Sequence, residues 1–327
     1  MTKSNTGYIF IALRNVFSSQ IVIGIAASVF LLLFHKVTFL LQRRPKPTDL
    51  TIAHLALIHM LMLLIRTFLD ADILGVEDFW NDITCKAVIY LYRLMRSLSV
   101  STTCMLSVLQ AITLSPRSSC LAKFKSRSPQ DSLRWLLFLW LFYVPFSTHF
   151  SISAVANSTV SSQGLVFVSD SCTILPMTYF LRHLFYILGV FQDVFLIGFM
   201  VLSSGYMVTL LCRHRRQCQH LQSNSLSPQA SREQWATKTI LLLMSFFVLL
   251  YSLDCIIFSS RIMWNNNPIC HSIQMMVSNG YTTISPLVFI STCQSHAPGT
   301  QRPMTCVFCL QQLHGLTILH SLTTLHK

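Results

Sequence analysis

Apolar runs of about 20 residues, separated by short polar connectors, recur along nearly the whole chain, which is the length a tilted helix needs to cross a bilayer. Their placement predicts seven membrane-crossing helices at 21–41, 50–69, 85–114, 133–154, 184–211, 239–260 and 272–292. The expected fold is therefore an all-α membrane protein, a seven-transmembrane-helix bundle with an extracellular amino terminus. Its parts are an extracellular segment at 1–20, the membrane domain at 21–292 and a cytoplasmic tail at 293–327.

The polar connectors set the orientation. Arg43, Arg44 and Lys46 follow the first run, outweighing Lys3 and Arg14 before it, and Arg117, Lys123, Lys125 and Arg127 follow the third. A third basic connector, CRHRRQCQHLQSNSLSPQASREQWATK, follows the fifth. Lys and Arg beside membrane helices favour the cytoplasmic side, so all three connectors lie inside when the amino terminus lies outside. The same arrangement puts the acidic loop with Asp70, Asp72, Glu77, Asp78 and Asp82 outside. It also puts outside the sequon Asn157-Ser158-Thr159, which is useful for glycosylation only on the lumenal side.

Composition supports this reading. Of 327 residues, 52% are hydrophobic and 11% charged, far below the quarter or so charged in a soluble domain. The net charge of +13 would suggest nucleic acid in a soluble protein, but here the basic residues sit between apolar runs, where they serve topology and face anionic lipid. The first run extends past signal-peptide length and ends in a basic loop, as a retained helix does.

Two sets of intramembrane residues stand out. Arg93 and Arg96 lie three apart on one helical face, and the intramembrane anions available to them are Asp193 and Asp254. A cation at mid-bilayer costs about 2.5–3.5 kcal/mol on insertion scales, so these groups are expected to face the bundle interior, as a structural ion-pair network or as ligand contacts. Cys85, opening the third helix, and Cys172, in the outward loop between the fourth and fifth, both lie where thiols oxidise. They pair or remain free, with Cys270 as a competing outward thiol. The odd total of eleven cysteines leaves at least one unpaired within the chain.

No catalytic set is present in the sequence: no Gly-rich phosphate loop, no HExxH and no Gly-x-Ser-x-Gly. Cys306, Cys309, His314 and His320 are too closely spaced for a zinc finger, so no metal and no cofactor is expected. Cys293 lies at a membrane-proximal position of the kind that takes palmitate. A transporter would show a repeated half or a continuous polar pathway, and neither is visible.

Five stretches carry a family resemblance. LSVLQAITLSPRSSCLAKFKSRSP at 106–129 resembles the third-helix exit and second cytoplasmic loop of vomeronasal type 1 pheromone receptors, which are seven-helix G-protein-coupled receptors. PTDLTIAHL at 47–55, YLYRLMRSLS at 90–99, RHRRQCQHLQSNSLSPQASREQWATKTILLL at 213–243 and ISPLVFIST at 284–292 are similar to the same family, and the third helix lacks the Asp-Arg-Tyr exit of rhodopsin-like receptors. The cytoplasmic-loop similarities disfavour a bitter-taste-like receptor.

The resemblance implies a non-enzymatic plasma-membrane receptor that binds a small pheromone or odorant in the outer half of the bundle and activates a heterotrimeric G protein. By position it also implies a Cys85–Cys172 disulfide and glycosylation at Asn157. The G-protein surface would include Arg117, Lys123, Lys125, Arg213, His214 and Arg215. Three departures accompany it: Ala27-Ser28 where the family usually has Gly-Asn, His59 where it usually has Asn, and a segment after Thr292 unlike the family's short basic tail. The last makes a signalling-impaired receptor remnant the alternative expectation.

Overall fold

The computed structural model describes residues 2–41, 47–70, 81–116, 129–152, 154–156, 166–167, 172–174, 179–221, 241, 245–257 and 268–294. They form α1 (Thr2–Leu41), α2 (Pro47–Asp70), α3 (Asp82–Leu114), α4 (Pro129–Ile152), α5 (Tyr179–Leu221), α6 (Ser245–Ile257) and α7 (Pro268–Gln294). Among the described residues α1, α2, α3 and α5 are long and apolar enough to cross a membrane by themselves, and α6 is a shorter apolar helix. The seven helices fall on the seven expected runs and form the seven-transmembrane bundle.

Proline and side-chain caps set several boundaries. α2, α4 and α7 each open on a proline, whose fixed φ suits the first turn and whose missing N–H has no helical partner to lose. Asn81 caps α3: its side chain accepts from the Thr84 backbone N–H at 2.8 Å. Pro145 and Pro286 lie inside α4 and α7, where each removes one backbone donor. α1 begins at Thr2, well before the expected 21–41 run, because Tyr8 to Leu13 continue the apolar sequence; its membrane-length portion is Asn15–Leu40.

Three short antiparallel strands, not expected from the sequence, lie between α4 and α5: β1 (Ala154–Ala156), β2 (Val166–Phe167) and β3 (Cys172–Ile174), in the order β1-β3-β2. Ala156 pairs with Cys172 and Val166 with Ile174. The β-branched residues of VFV and CTI carry this preference, but within a stretch rich in Ser and Thr they read as loop.

The bundle turns its chemistry inward. Large side chains such as Phe191, Phe195, Leu202, Leu141 and Trp135 are exposed on the outside of the helices, while Ser99, Thr102, Thr103, Ser107, His59 and Asp254 are buried. That distribution suits a hydrocarbon surround, where polar groups must find partners inside the protein. α3 lies at the centre, packed on α2, α4 and α5, and β1 rests against it from the outer side. α1, α2 and α7 pack together around Gly24, where an added Cβ would stand 2.5 Å from Leu63 Cδ1 and 2.8 Å from Thr283 Oγ1.

Candidate functional site

About four turns into both α3 and α5, Arg96 meets Asp193, and Asp254 joins them from α6, one turn from that helix's described end. Both Arg96 Nε and Nη2 donate to Asp254 Oδ2, at 3.0 and 2.7 Å, and Nη1 donates to Asp193 Oδ2 at 3.3 Å. The Cys255 thiol donates to the same Asp193 oxygen at 3.3 Å. One guanidinium thus ties three helices together. A planar fork suits this role because its five donors diverge, whereas a lysine would act as a single point charge.

The two carboxylates are not equivalent. The Asp254 side chain is 1% exposed and that of Asp193 17%, and among the described residues Asp254 Oδ1 has no hydrogen-bond partner. Arg96 therefore neutralises a buried site that contains two acids, and Arg93, one turn earlier on α3, is half-buried beside it.

A second cluster lies on the α2 side of the same outer region. Arg66 Nη2 donates to the Tyr92 hydroxyl and, at 3.4 Å, to Ser278 Oγ, while Tyr92 and Ser278 hydrogen-bond to each other at 2.8 Å. The Arg66 guanidinium also covers the Tyr92 ring, 4.0 Å from its centroid, in cation–π geometry. α2, α3 and α7 are joined here as α3, α5 and α6 are at Arg96.

Below these clusters the connections are neutral. His59 Nε2 meets Ser99 Oγ at 2.8 Å, and Ser99 meets the Tyr251 hydroxyl at 2.7 Å, linking α2, α3 and α6 through one serine. The Tyr251 and Tyr281 rings are 4.4 Å apart, extending the contact to α7. Trp140 Nε1–H donates to His54 Nε2 at 2.9 Å, so that nitrogen is an acceptor and the ring is neutral in this arrangement; Nδ1–H then donates to Thr102 Oγ1 at 3.3 Å. Ser101–Tyr143, Ser107–Ser203 and Ser115–Tyr206 connect α3 to α4 and α5 at 2.6, 2.6 and 2.9 Å.

The structure brings together Arg96, Asp193 and Asp254 of the expected residues. Cys85 is buried and disulfide-bonded, so it is not a free thiol. Cys172 lies in β3, hydrogen-bonded to the β1 strand that rests on α3. Arg213 is exposed at the inner end of α5. Asn157, Arg117, Lys123, Lys125 and the segment from 295 onward lie outside the described residues, as do the side chains of Cys172, Cys270, His214 and Arg215. Tyr92, Ser99, Tyr251, Ser278, Trp140 and Cys255 were missed as site residues. Arg66 and His59 interrupt the apolar second run, and their spacing of seven, which places both on one helical face, is the signal that could have marked them.

Residues 11–297 match the model of the vomeronasal organ pheromone receptor family. Vomeronasal type-1 receptor 90 of Rattus norvegicus is 58% identical over 292 residues, covering 89% of this chain and 94% of its own. Vomeronasal type-1 receptor 94 of Rattus norvegicus is 51% identical over 291 residues, covering 89% of each chain. Vomeronasal type-1 receptor A11 of Mus musculus is 48% identical over 292 residues, covering 89% of this chain and 92% of its own. These relatives are receptors, and the buried polar interior and apolar exterior are those of a multi-pass membrane protein. The chain therefore belongs to the vomeronasal organ pheromone receptor family, and its fold is that family's seven-transmembrane chemosensory G-protein-coupled receptor of the plasma membrane.

Proposed function

We propose that this receptor binds a small pheromone or odorant in the outer half of the bundle and passes the binding energy to a heterotrimeric G protein through α3. The observation that carries the reading is the guanidinium of Arg96, which holds Asp193 and Asp254 and so fixes α5 and α6 against α3. A ligand that binds better to one arrangement of these three helices shifts the population toward it. The shift reaches the inner ends of α3, α5 and α6, where the basic residues Arg117, Lys123, Lys125, Arg213, His214 and Arg215 are assigned to the G-protein side.

Two outer-side features complete the assignment. Cys172 is taken as the disulfide partner of Cys85, which would fasten the strands between α4 and α5 to the mouth of the bundle. Asn157 is taken as glycosylated in the same connector. Neither a metal nor a cofactor has a role in this scheme.

The test is to express the full chain with an amino-terminal epitope tag beside a G protein carrying a dissociation reporter, and to apply a panel of small organic molecules. A ligand-evoked signal from cells labelled without permeabilisation is the expected result. Surface labelling with no signal from any compound, while the 58%-identical rat relative responds in the same assay, would overturn it.

A second reading rests on the family match ending at residue 297. Residues 298–327 lie beyond it and impair signalling in this reading. Replacing everything after Thr292 with a short basic tail separates the two: a response gained only on replacement assigns the impairment to the tail.

A further inference from the structure

α5 is 43 residues long, but its membrane-length portion is Ile187–Leu210, about 36 Å of helix against a hydrocarbon core of about 30 Å. The helix continues past that limit to Leu221. At about 100° per residue, Leu184, Phe191, Phe195 and Leu202 fall within an arc of about 40°, and all four are exposed. The buried Met200 and Met207 lie on the other side of the helix. The exposed arc is the lipid-facing side.

The same arc continues into the inner extension. Arg213 lies about 20° and Arg216 about 40° from the Leu202 direction, and both are exposed. By rise they stand about 4.5 and 9 Å beyond Leu210, at the depth of the headgroup layer. Gly198, Gly205 and Thr209 are nearly in line with Arg216; nothing lies within 4 Å of a Cβ added at either glycine. Thr209 turns its hydroxyl onto the Gly205 carbonyl at 2.9 Å, so no unsatisfied donor faces the lipid there. A shallow notch therefore leads down the hydrocarbon side to the two arginines. Between Asp193 and Glu233 the sequence holds no acid that could neutralise them.

We propose that Arg213 and Arg216 form a docking site for an acidic phospholipid of the inner leaflet, with an acyl chain in the Gly198–Gly205–Thr209 notch and the headgroup between the guanidinium groups. Three residues apart on a helix, the two side chains start about 5–6 Å from each other, a separation that lets both reach one phosphate. On this register Arg213 stands at the lipid-facing edge of the inner surface assigned to the G protein, so it borders both. The lipid would thus hold the inner end of α5 from outside while a G protein engages the bundle from within.

The test is a titration of fluorescent phosphatidylserine and phosphatidylinositol bisphosphate into nanodiscs of phosphatidylcholine containing the purified full chain, read by energy transfer from its tryptophans. Because both leaflets receive the probe, the result does not depend on membrane orientation or on signalling. R213A/R216A should weaken binding by about 30-fold, a factor of about five for each guanidinium–phosphate contact removed. R213K/R216K should retain most of the affinity. K36A/R134A, which removes two inner-side basic residues from other helices, should bind as the unaltered chain does. Unchanged affinity in R213A/R216A, an equal loss in K36A/R134A, or equally tight binding of the soluble inositol phosphate headgroup would overturn the proposal.

Discussion

Arg96 places two nitrogens on a single oxygen of Asp254, Nη2 at 2.7 Å and Nε at 3.0 Å, while its third nitrogen reaches Asp193. The side chains are 11% and 1% exposed for Arg96 and Asp254, so both charges are largely withdrawn from solvent. Removing one member of a buried pair costs about 3–5 kcal/mol because the other is left uncompensated, whereas replacing all members together is often nearly neutral. Arg96→Met should therefore lower thermal stability in detergent and reduce surface labelling. The triple variant R96M/D193N/D254N should regain most of both and yet give no ligand-evoked signal. A triple variant as unstable as the single one would show that packing, not charge, sets the cost.

Gly24 is the point of closest approach among α1, α2 and α7. A Cβ at this position would meet Leu63 Cδ1 at 2.5 Å and Thr283 Oγ1 at 2.8 Å, and that hydroxyl already donates to the Gln20 carbonyl at 3.1 Å. Overpacking of this kind costs about 1–3 kcal/mol. Gly24→Ala should lower the melting temperature, and adding Leu63→Ala should lower it by less than the two single losses combined, since the second change opens the space the first requires. Strict additivity in that cycle would refute the packing argument.

His54 is held by one donor and one acceptor on opposite sides of its ring, Trp140 from α4 and Thr102 from α3. Trp140→Phe removes the indole N–H and leaves Nε2 half-buried without it, a loss of about 1–3 kcal/mol. The check is a double-mutant cycle of Trp140→Phe with His54→Phe, read by thermal unfolding. The coupling should be clearly different from zero, whereas Trp140→Phe combined with the distant Gly24→Ala should be additive.

The fold was legible because membrane crossing imposes one strong pattern, a long apolar run between charged connectors, and each helix falls on such a run. Half of the candidate site was legible for a related reason. Arg96, Asp193 and Asp254 are charges where charge is expensive, so their presence in apolar runs pointed inward, and the three meet between α3, α5 and α6. Tyr92, Ser99 and Ser278 gave no such signal, because a hydroxyl within a membrane helix can bond its own backbone, as Thr103 does to the Ser99 carbonyl at 2.8 Å. Which hydroxyls instead cross to a neighbouring helix depends on helix rotation, and that is set by packing. The strands between α4 and α5 were hidden because pairing of two or three residues is decided by partners distant in sequence rather than by local preference.

Cys85 is buried at the outer end of α3 and disulfide-bonded, and Cys172 is the partner proposed for it. Mass mapping of non-reduced peptides should recover the Cys85 peptide joined to that of Cys172. Cys85→Ser and Cys172→Ser should each lower stability by about 2–4 kcal/mol, and the double variant should lose no more than either alone, because both remove the same bond. A Cys85 peptide joined to Cys270 would reassign the partner.

Ser99 serves two helices at once, meeting His59 at 2.8 Å and the Tyr251 hydroxyl at 2.7 Å. Tyr251→Phe keeps the ring, its stack on Phe247 and its contact with Tyr281, and removes only the Ser99 hydrogen bond, one of the links between α6 and α3. One hydrogen bond contributes about 1 kcal/mol net, a factor of about five in an equilibrium between two bundle arrangements. If activation moves α6 relative to α3, that factor appears as a rise in ligand-independent G-protein signalling at unchanged surface labelling. Tyr251→Leu, which also removes the ring packing, should reduce surface labelling instead. Equal basal signalling in Tyr251→Phe and the unaltered chain would mean that the Ser99–Tyr251 bond is the same in both states, and the moving joint would then be sought at Arg96.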